Sequence, residues 1–436
     1  MKTLTFIVGI AAISSTADSY AQSMFRGDAA HSGVYADKGP RQFHRVKWTF
    51  ATGGRVVSSP VTLDGMIYFG SDDGYVYAVD AASGRQVWRR GTKGPVSATP
   101  AIDHGVLYIG SFDGKFYALD ARTGAPKWKF STAGERQFEA KGIHGWQPKG
   151  QTIPDPFDLY LSSPVVVNGT VYFGSGDGNL YALDANSGEQ RWKFATGDVV
   201  HASPAYADGV VYVGSWDSYF YAIDAASGKE EWRFHGGEDP LIHNQVGFQS
   251  SPSVANGVVY TGCRDSNLYA IDAATGKEKW HFNNNGSWVI VAPAVTQGKV
   301  FFATSDSALY HVVDAATGKP VLQQEGKAFM FSSPAVAGDV VYVGVTNGTL
   351  EARDVASGTL LWVFQTEASK QNAGWVLTAD RKFNNSLLFR SGAQWQGPTI
   401  DATNRMLRVG SIFSSPLVAG GAVYFGSNDG NLYAIE

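Results

Sequence analysis

The chain has 436 residues, of which 44% are hydrophobic and 13% aromatic, and its formal net charge at neutral pH is −4. Its lysines and arginines are spread evenly, so no basic stripe is available to bind a phosphate backbone, and nucleic acid is not expected as a partner. The single cysteine, Cys263, excludes an internal disulfide bond and a cysteine-rich zinc site. The nine histidines have no short metal-binding spacing, so no metal site is predicted.

The first 21 residues have the pattern of a secretory signal peptide. Lys2 supplies the positive charge, Leu4 to Ile13 form an apolar segment, and Ser19-Tyr20-Ala21 is a small-x-small cleavage site. The apolar segment is too short to cross a bilayer, and no lipid-attachment cysteine stands at the cleavage site. We therefore expect a periplasmic or secreted protein whose mature part covers residues 22–436, without an integral membrane segment.

One segment then recurs along the chain. It reads Ser-Ser-Pro, an apolar run, a glycine turn, Val-Tyr-x-Gly-Ser, Asp-Gly and Leu-Tyr-Ala-x-Asp-Ala-x-x-Gly, followed by a tryptophan; the clearest copies are Ser58 to Trp88 and Ser162 to Trp192. The second aspartate of the repeat, replaced by glutamate in the last copy, occurs at Asp80, Asp120, Asp184, Asp224, Asp272, Asp314, Asp354 and Glu436. The proline recurs independently at Pro60, Pro100, Pro164, Pro204, Pro252, Pro293, Pro334 and Pro416. Both columns indicate eight units.

Each unit alternates apolar and polar residues in short runs separated by Asp-Gly, Asn-Gly or Ala-Thr-Gly turns, which is typical of a four-stranded antiparallel meander. Such units are propeller blades, so the predicted fold is an all-β, eight-bladed β-propeller in a single domain. The eighth unit ends at Glu436, before its fourth strand, whereas residues 46–50 carry the pattern of that strand. We predict that this N-terminal strand joins the last blade and closes the ring.

The recurring motif Ala-x-Asp-Ala-x-Thr-Gly-x-x-x-Trp resembles the repeat of the quinoprotein (PQQ)-like eight-bladed propellers, and the resemblance covers nearly all of the mature chain. That family includes the propellers of quinoprotein dehydrogenases and of the outer-membrane assembly lipoprotein. The resemblance implies that the repeated tryptophans dock between neighbouring blades and are structural: Trp48, Trp88, Trp128, Trp192, Trp232, Trp280 and Trp362. Leu322 takes this position in the sixth blade.

The repeat is interrupted between a docking tryptophan and the next Ser-Pro. Three insertions are predicted, near residues 131–160, 233–249 and 364–411, with a minor variant at 282–290. In a four-stranded blade these connections emerge on the same side as the turns between the second and third strands. All the insertions are therefore expected on one side of the ring, which we call the insertion face.

Two further irregularities lie in blades four to six. The Asp-Gly turn is replaced by Trp216-Asp217-Ser218, Arg264-Asp265-Ser266 and Ser305-Asp306-Ser307, which indicates a different turn shape or a hydroxyl contact, with drift in a tolerant loop as the alternative. In addition, His201 and Gln249 interrupt a largely apolar column of inner-strand residues beside the central channel. They are either ligand contacts or hydrogen-bonded structural residues.

The tryptophans that do not dock lie in insertions, connections or turns: Trp146, Trp216, Trp288, Trp375 and Trp395. Exposed aromatic residues of this kind stack on sugars, quinones or partner side chains, although small cores beneath long loops are the alternative. The polar insertion 233–249 adds His243 and Gln245 directly before Gln249.

These observations predict a ligand or partner site on the insertion face over blades four to six. The candidate residues are His201, Trp216, His243, Gln245, Gln249, Arg264 and Trp288, with Trp146 and Trp395 contributing from a lid. The expected ligand is a small molecule, a glycan or a periplasmic protein segment, and no cofactor is required.

Two enzymatic alternatives stay open. A dehydrogenase would bind PQQ with calcium through carboxylate and amide oxygens above an aromatic floor, although the adjacent cysteine pair of that family is absent. A cofactor-free hydrolase would resemble tetrathionate hydrolase. In an enzyme, His201 or His243 would be the acid–base group, because imidazole titrates near working pH.

Overall fold

The computed structural model describes residues 22–140, 152–237, 247–388 and 396–436. These residues form a ring of eight blades, each with four antiparallel strands ordered from the channel outwards. In blade seven a fifth strand, Val34–Tyr35, pairs in parallel with the innermost strand. The predicted all-β, eight-bladed propeller is therefore confirmed. The PQQ-like repeat folds as a meander because each unit alternates apolar and polar residues between tight turns.

Two strands precede the first repeat, β1 (Val34–Tyr35) and β2 (Val46–Ala51). Blades one and two consist of β3 (Val61–Leu63), β4 (Met66–Gly70), β5 (Tyr75–Asp80), β6 (Gln86–Gly91), β7 (Ala101–Asp103), β8 (Val106–Ser111), β9 (Lys115–Asp120) and β10 (Pro126–Ser131). The short hairpin β11 (Glu139–Ala140) and β12 (Ile153–Pro154) lies in the first insertion. Blades three and four consist of β13 (Val165–Val167), β14 (Thr170–Gly174), β15 (Asn179–Asp184), β16 (Gln190–Ala195), β17 (Ala205–Ala207), β18 (Val210–Gly214), β19 (Tyr219–Asp224) and β20 (Glu230–His235).

Blades five and six consist of β21 (Ser253–Ala255), β22 (Val258–Gly262), β23 (Asn267–Asp272), β24 (Glu278–Asn283), β25 (Ala294–Thr296), β26 (Lys299–Ala303), β27 (Leu309–Asp314) and β28 (Pro320–Glu325). Blade seven consists of β29 (Ala335–Ala337), β30 (Val340–Val345), β31 (Thr349–Asp354) and β32 (Leu360–Gln365). The third insertion contains α1 (Glu367–Val376), α2 (Asn385–Leu388) and α3 (Gln396–Leu407). Blade eight contributes β33 (Leu417–Ala419), β34 (Ala422–Gly426) and β35 (Asn431–Ile435).

The N-terminal strand closes the ring, as predicted for residues 46–50. β2 pairs antiparallel with β35, with Thr49 opposite Tyr433, and so supplies the fourth strand of blade eight. A belt of hydroxyl groups reinforces the closure inside the channel, where the Ser415 N–H donates to Ser59 Oγ at 2.8 Å. Similar bonds link most neighbouring blades, for example from the Ser163 N–H to Ser203 Oγ at 2.9 Å.

Residues 22–37 fill the end of the channel opposite the insertion face. Backbone N–H groups of inner strands donate to this segment, among them Ile102 to the Ser23 carbonyl and Val254 to the Ala30 carbonyl. Arg26 is buried and donates to the carbonyls of Pro334, at 2.5 Å, and Pro293, at 3.1 Å. The segment therefore ties several blades together from inside the ring.

The seven repeated tryptophans dock between blades, as expected. The indole N–H of each of six donates to an alanine carbonyl of the next blade, as Trp48 does to Ala81 at 3.0 Å and Trp232 to Ala273 at 2.9 Å. Trp362 donates instead to Pro40. The rings lie on turn glycines; a Cβ at Gly84 would stand 2.6 Å from the Trp48 ring, which explains why glycine recurs there.

The serine-containing turns differ in part from the expectation. Ser218 and Ser266 both have φ of 73°, close to the 84° of Gly74, so blades four and five keep the left-handed turn of the Asp-Gly copies. A different shape is found only in blade six among the three, where Ala308 takes the left-handed φ of 52°. The serines in blades four and five are therefore tolerated in an unchanged turn at some cost in strain.

Candidate functional site

The central channel is lined by the inner-strand column that the sequence indicated, including His201, Gln249, Ile290 and Phe331. Its cavity has a volume of about 40 Å³. The channel is this small because a loop of the first insertion crosses its mouth. We call the described parts of that insertion, residues 131–140 and 152–161, the lid.

Aromatic side chains of the lid pack directly into the mouth. The ring of Phe157 lies 5.6 Å from that of Phe331 and 6.1 Å from that of Trp288, in edge-to-face contact. The Tyr160 hydroxyl donates to the Phe331 carbonyl at 2.9 Å. Leu377 and Met406 from the third insertion belong to the same buried cluster. Two insertions thus form a hydrophobic core over the channel.

Arg264, from the serine-containing turn of blade five, lies at the centre of a buried cluster beside this core. Its guanidinium is held between the rings of Trp216 and Trp288, 4.2 Å from each centroid. It donates from Nη1 to Asp155 Oδ2 of the lid at 2.6 Å, and from Nε and Nη2 to Gln249 Oε1 at 2.9 and 2.6 Å. Cation–π contacts and charge-assisted hydrogen bonds together offset the burial of this charge.

Gln249 and Trp216 extend the contacts of this cluster to the lid. Gln249 Nε2 donates to the Phe157 carbonyl at 2.8 Å. The Trp216 ring stacks on that of Phe138, with centroids 4.2 Å apart and an interplanar angle of 15°. Turn and inner-strand residues of blades four and five therefore hold the lid by several independent contacts.

His201 forms a second buried contact with the lid. Its Nδ1 lies 2.7 Å from Asp158 Oδ1, and its Nε2 lies 3.6 Å from Glu135 Oε2. Burial acts to lower the pKa of His201, but the Asp158 and Glu135 carboxylates outweigh it and raise the pKa to about 9. The imidazole is therefore charged at neutral pH. His201, the acid–base candidate of the enzymatic alternatives, is thus part of an ion-paired cluster that holds the lid.

The structure brings together five of the predicted site residues: His201, Trp216, Gln249, Arg264 and Trp288. All five are buried, and Trp216 and Trp288 expose only 2% and 1% of their surface. The interpretation of these two tryptophans as exposed is therefore wrong, since they form a core beneath the lid. By contrast, Trp375 is 52% exposed. Predictions for Trp146, His243, Gln245 and Trp395 lie outside the described residues.

Sequence reasoning missed the lid partners Asp155 and Asp158. Asp155 and Asp158 are completely buried, and Glu135 also accepts from the Ser175 hydroxyl at 2.7 Å. Because a buried arginine or charged histidine needs a counter-ion, Arg264 and His201 were the signal that carboxylates should be sought in an insertion. The sequence indicated that the first insertion could close over this mouth, but it did not indicate that Asp155 and Asp158 would be the counter-ions.

The channel residues do not fit a quinone cofactor. Pockets for ligands of that size measure roughly 300–1,000 Å³, whereas the channel cavity is about 40 Å³ and its mouth is filled by Phe157 and Tyr160. Within the described ranges, no three His, Cys, Asp or Glu side chains are grouped so that they could hold a metal ion.

Together, the ring and the lid define an eight-bladed PQQ-like propeller whose channel mouth is closed by its own insertions. A family model described as outer membrane protein assembly factor BamB matches residues 41–158, 136–287 and 282–436, and the chain belongs to this family.

A curated relative, outer membrane protein assembly factor BamB of Shewanella oneidensis, is 28% identical over 167 residues; the match covers 35% of this chain and 42% of that relative. Among solved structures, BamB from Moraxella catarrhalis has a TM-score of 0.66 at 18% identity, covering 90% of this chain and 99% of that one. Quinohemoprotein alcohol dehydrogenase from Comamonas testosteroni has a TM-score of 0.67 at 15% identity, covering 95% and 80%. These TM-scores show a shared fold. None of the helices in the described ranges is long and apolar enough to cross a membrane.

Proposed function

We propose that this chain is a periplasmic or secreted scaffold that takes part in outer membrane protein assembly by holding a protein segment on its insertion face, over blades four to six. Membership of the BamB family supports a role in outer membrane protein assembly. The signal-peptide pattern of residues 1–21 supports a periplasmic or secreted location. A small molecule or a glycan is the alternative ligand for the same face.

The observation that carries this proposal is the fastening of the lid by Arg264 and Asp155. A mouth that is closed by a buried ion pair and a hydrophobic core presents a surface to a partner instead of an open pocket. Rigid scaffolds that display insertions from one side commonly use those insertions for recognition. Trp375, on α1 of the third insertion, offers a large aromatic surface of the kind that anchors protein interfaces.

Site-specific photocrosslinking tests the proposal. A benzophenone amino acid is placed at Trp375 on the insertion face, and in a matched variant at Lys277, an exposed residue of a turn on the opposite side. After irradiation of cells, we expect Trp375 to yield a crosslinked outer membrane protein or a protein of its assembly, identified by mass spectrometry. Equal crosslinking from both positions, or none from Trp375, would contradict a partner on this face.

A thermal-shift screen separates the other ligands. PQQ with calcium, sulfur oxyanions and oligosaccharides are added in turn, because a ligand that binds only the folded state raises the melting temperature. We expect no shift from any of them. A shift with oligosaccharides would favour the glycan alternative, and a shift with PQQ and calcium together with dye reduction would favour the dehydrogenase.

A further inference from the structure

A second concave site lies on the flank of the ring, between blades six and seven. It is a groove of about 430 Å³, which is within the range of ligand-binding pockets. Its walls come from β28 of blade six and from β31 and β32 of blade seven, and residues Asp380 and Arg381 lie at one end. It is separate from the lid and does not depend on the proposed partner site.

The other blade interfaces show what normally fills this position. Behind six of the seven docking tryptophans, a phenylalanine of the outer strand contacts an aromatic ring of the next blade. Ring centroids lie 5.0 to 5.4 Å apart in the pairs Phe50–Tyr77, Phe130–Tyr181, Phe194–Tyr221, Phe234–Tyr269, Phe282–His311 and Phe364–Tyr433. The wedge between two blades is therefore normally packed with the protein's own aromatic side chains.

At the interface of blades six and seven, all three of these positions have changed. Leu322 replaces the tryptophan, Gln324 replaces the phenylalanine and Glu351 replaces the tyrosine. The interface of blades one and two has Arg90 in the phenylalanine position but keeps Trp88 and Tyr117. Within the described ranges, blades six and seven thus form the one interface that lacks all three aromatic side chains.

The floor of the groove carries a buried ion pair. Arg353 donates from Nη2 and Nε to Glu351 Oε2, at 2.6 and 2.9 Å, and both side chains are only 5% exposed. In the other blades the position of Arg353 is aliphatic, for example Val79 and Ile223. Because a buried pair of this kind is often less stabilising than apolar residues of similar volume, packing alone does not account for it.

The charges along the groove balance. Lys327, Arg353 and Arg381 are basic, whereas Glu325, Glu351 and Asp380 are acidic. A wall with no excess charge suits a neutral ligand that forms hydrogen bonds. Such a wall provides little electrostatic attraction for a polyanion. Leu360 and Val363, which are 45% and 39% exposed, add an apolar strip along the side of blade seven.

We propose that this groove binds an extended peptide segment of a protein partner and takes one of its aromatic side chains into the wedge. The aromatic ring replaces those that the other interfaces supply internally, and it packs against Leu360 and Val363. Amide groups such as those of Gln324 and Gln365 provide hydrogen bonds for the peptide backbone. The six residues of β32 extend over roughly 20 Å, enough for about six residues of the peptide.

The test uses the whole chain and a fluorescein-labelled peptide, Ser-Thr-Ser-Trp-Ser-Thr, blocked at both ends. Binding is followed by fluorescence anisotropy, with the same peptide carrying alanine for tryptophan as the comparison. We expect the tryptophan peptide to bind at least about tenfold more tightly, because a buried aromatic ring dominates such contacts. N-acetyltryptophanamide is added as an unlabelled competitor, and we expect it to bind at least about tenfold more weakly than the peptide.

Variants that fill the wedge give the decisive comparison. Leu322→Trp, Gln324→Phe, Glu351→Tyr and Arg353→Val together restore the sequence of the other interfaces. We expect this variant to lose binding while its melting temperature is equal to or above that of the original chain. Gln324→Phe alone gives the same test if the combined variant does not fold. Arg90→Phe, which makes the corresponding change at the interface of blades one and two, is the matched control and should leave binding unchanged.

Three results would overturn the proposal. They are equal affinity for the tryptophan and alanine peptides, undiminished binding by a folded wedge-filled variant, and equal loss of binding in the Arg90→Phe control. Equal affinity for N-acetyltryptophanamide and the peptide would overturn the assignment of an extended segment. Crosslinking at Trp375 reports on a partner of α1, whereas the peptide assay with the wedge-filled variant reports on the groove between blades six and seven, so failure of either proposal is recognisable by itself.

Discussion

Arg264 of blade five donates a 2.6 Å hydrogen bond to Asp155 of the lid, and both side chains are completely buried. The two residues are 109 positions apart in the sequence. This contact joins the ring to an insertion and lies beside the core that closes the channel mouth.

We therefore predict that Asp155→Ala strongly destabilises the protein. The substitution leaves the buried Arg264 charge without this carboxylate, and the loss of one partner from a buried pair typically costs about 3 to 5 kcal/mol. Urea denaturation measures the change in the free energy of unfolding. Asp339→Ala breaks the ion pair between Asp339 and Arg41, whose side chains are 71% and 49% exposed, respectively. This substitution should cost less than about 1 kcal/mol. Equal effects of the two substitutions would contradict the structural role of Asp155.

The His201 contact predicts that stability falls at alkaline pH. The folded-state pKa of about 9 lies above the ordinary value of 6.5, so the stabilisation is fully present below pH 6.5 and is lost as the pH rises through 9. A shift of this size corresponds to about 3 kcal/mol. Free energies of unfolding measured between pH 6 and 10 should decline more steeply for the original chain than for His201→Gln. Parallel curves would show that His201 is not charged in the folded protein.

His31 predicts the opposite dependence in acid. Burial, together with the positive charge of Arg26, lowers the pKa of His31 to about 3, and the ring is neutral at neutral pH. The contribution of neutral His31 to the free energy of unfolding is therefore complete above pH 6.5 and is lost as the pH falls towards 3. In His31→Gln, the decrease in unfolding free energy between pH 6.5 and 4 should be smaller than in the original chain. An unchanged decrease would mean that the N-terminal segment does not set acid stability.

The propeller could be predicted from the sequence because the residues that determine each blade lie close together in the chain and recur in every unit. The aspartate and proline that recur at fixed positions of the repeat identify the eight blades. The match of residues 46–50 to the fourth-strand pattern was enough to identify β2 as the closing strand. Docking of Trp232 could likewise be expected, since its position in the repeat determines its surroundings.

The candidate site was harder to predict because its contacts join distant parts of the chain. The irregular turns, together with His201 and Gln249, singled out blades four and five, and in the structure these side chains contact the lid. However, irregularity is equally consistent with a ligand site and with attachment of an insertion. Only the positions of Asp155 and Phe157, which the repeat does not determine, decide that these side chains face the lid.

The docking tryptophans predict a clear contrast with the exposed one. Trp232→Ala removes a buried ring and its hydrogen bond to Ala273, so it should cost about 3 to 5 kcal/mol. Trp375→Ala removes a ring that is half exposed and should change stability by less than about 0.5 kcal/mol. Thermal and urea unfolding of both variants measure the difference. A small effect at Trp232 would show that the interface between blades four and five can repack around the cavity.

Ring closure by β2 predicts a loss of cooperativity when the N-terminus is shortened. Deletion of residues 22–50 removes the outer strand of blade eight, including Trp48, whose ring docks on blade one. We expect the sharp urea transition of the original chain to become broad, because the ring then has two unsatisfied blade surfaces. Deletion of residues 22–37 keeps β2 and removes only the segment inside the channel, so it should lower the midpoint but retain a single transition. If the longer deletion unfolds as sharply as the original chain, β2 does not close the ring.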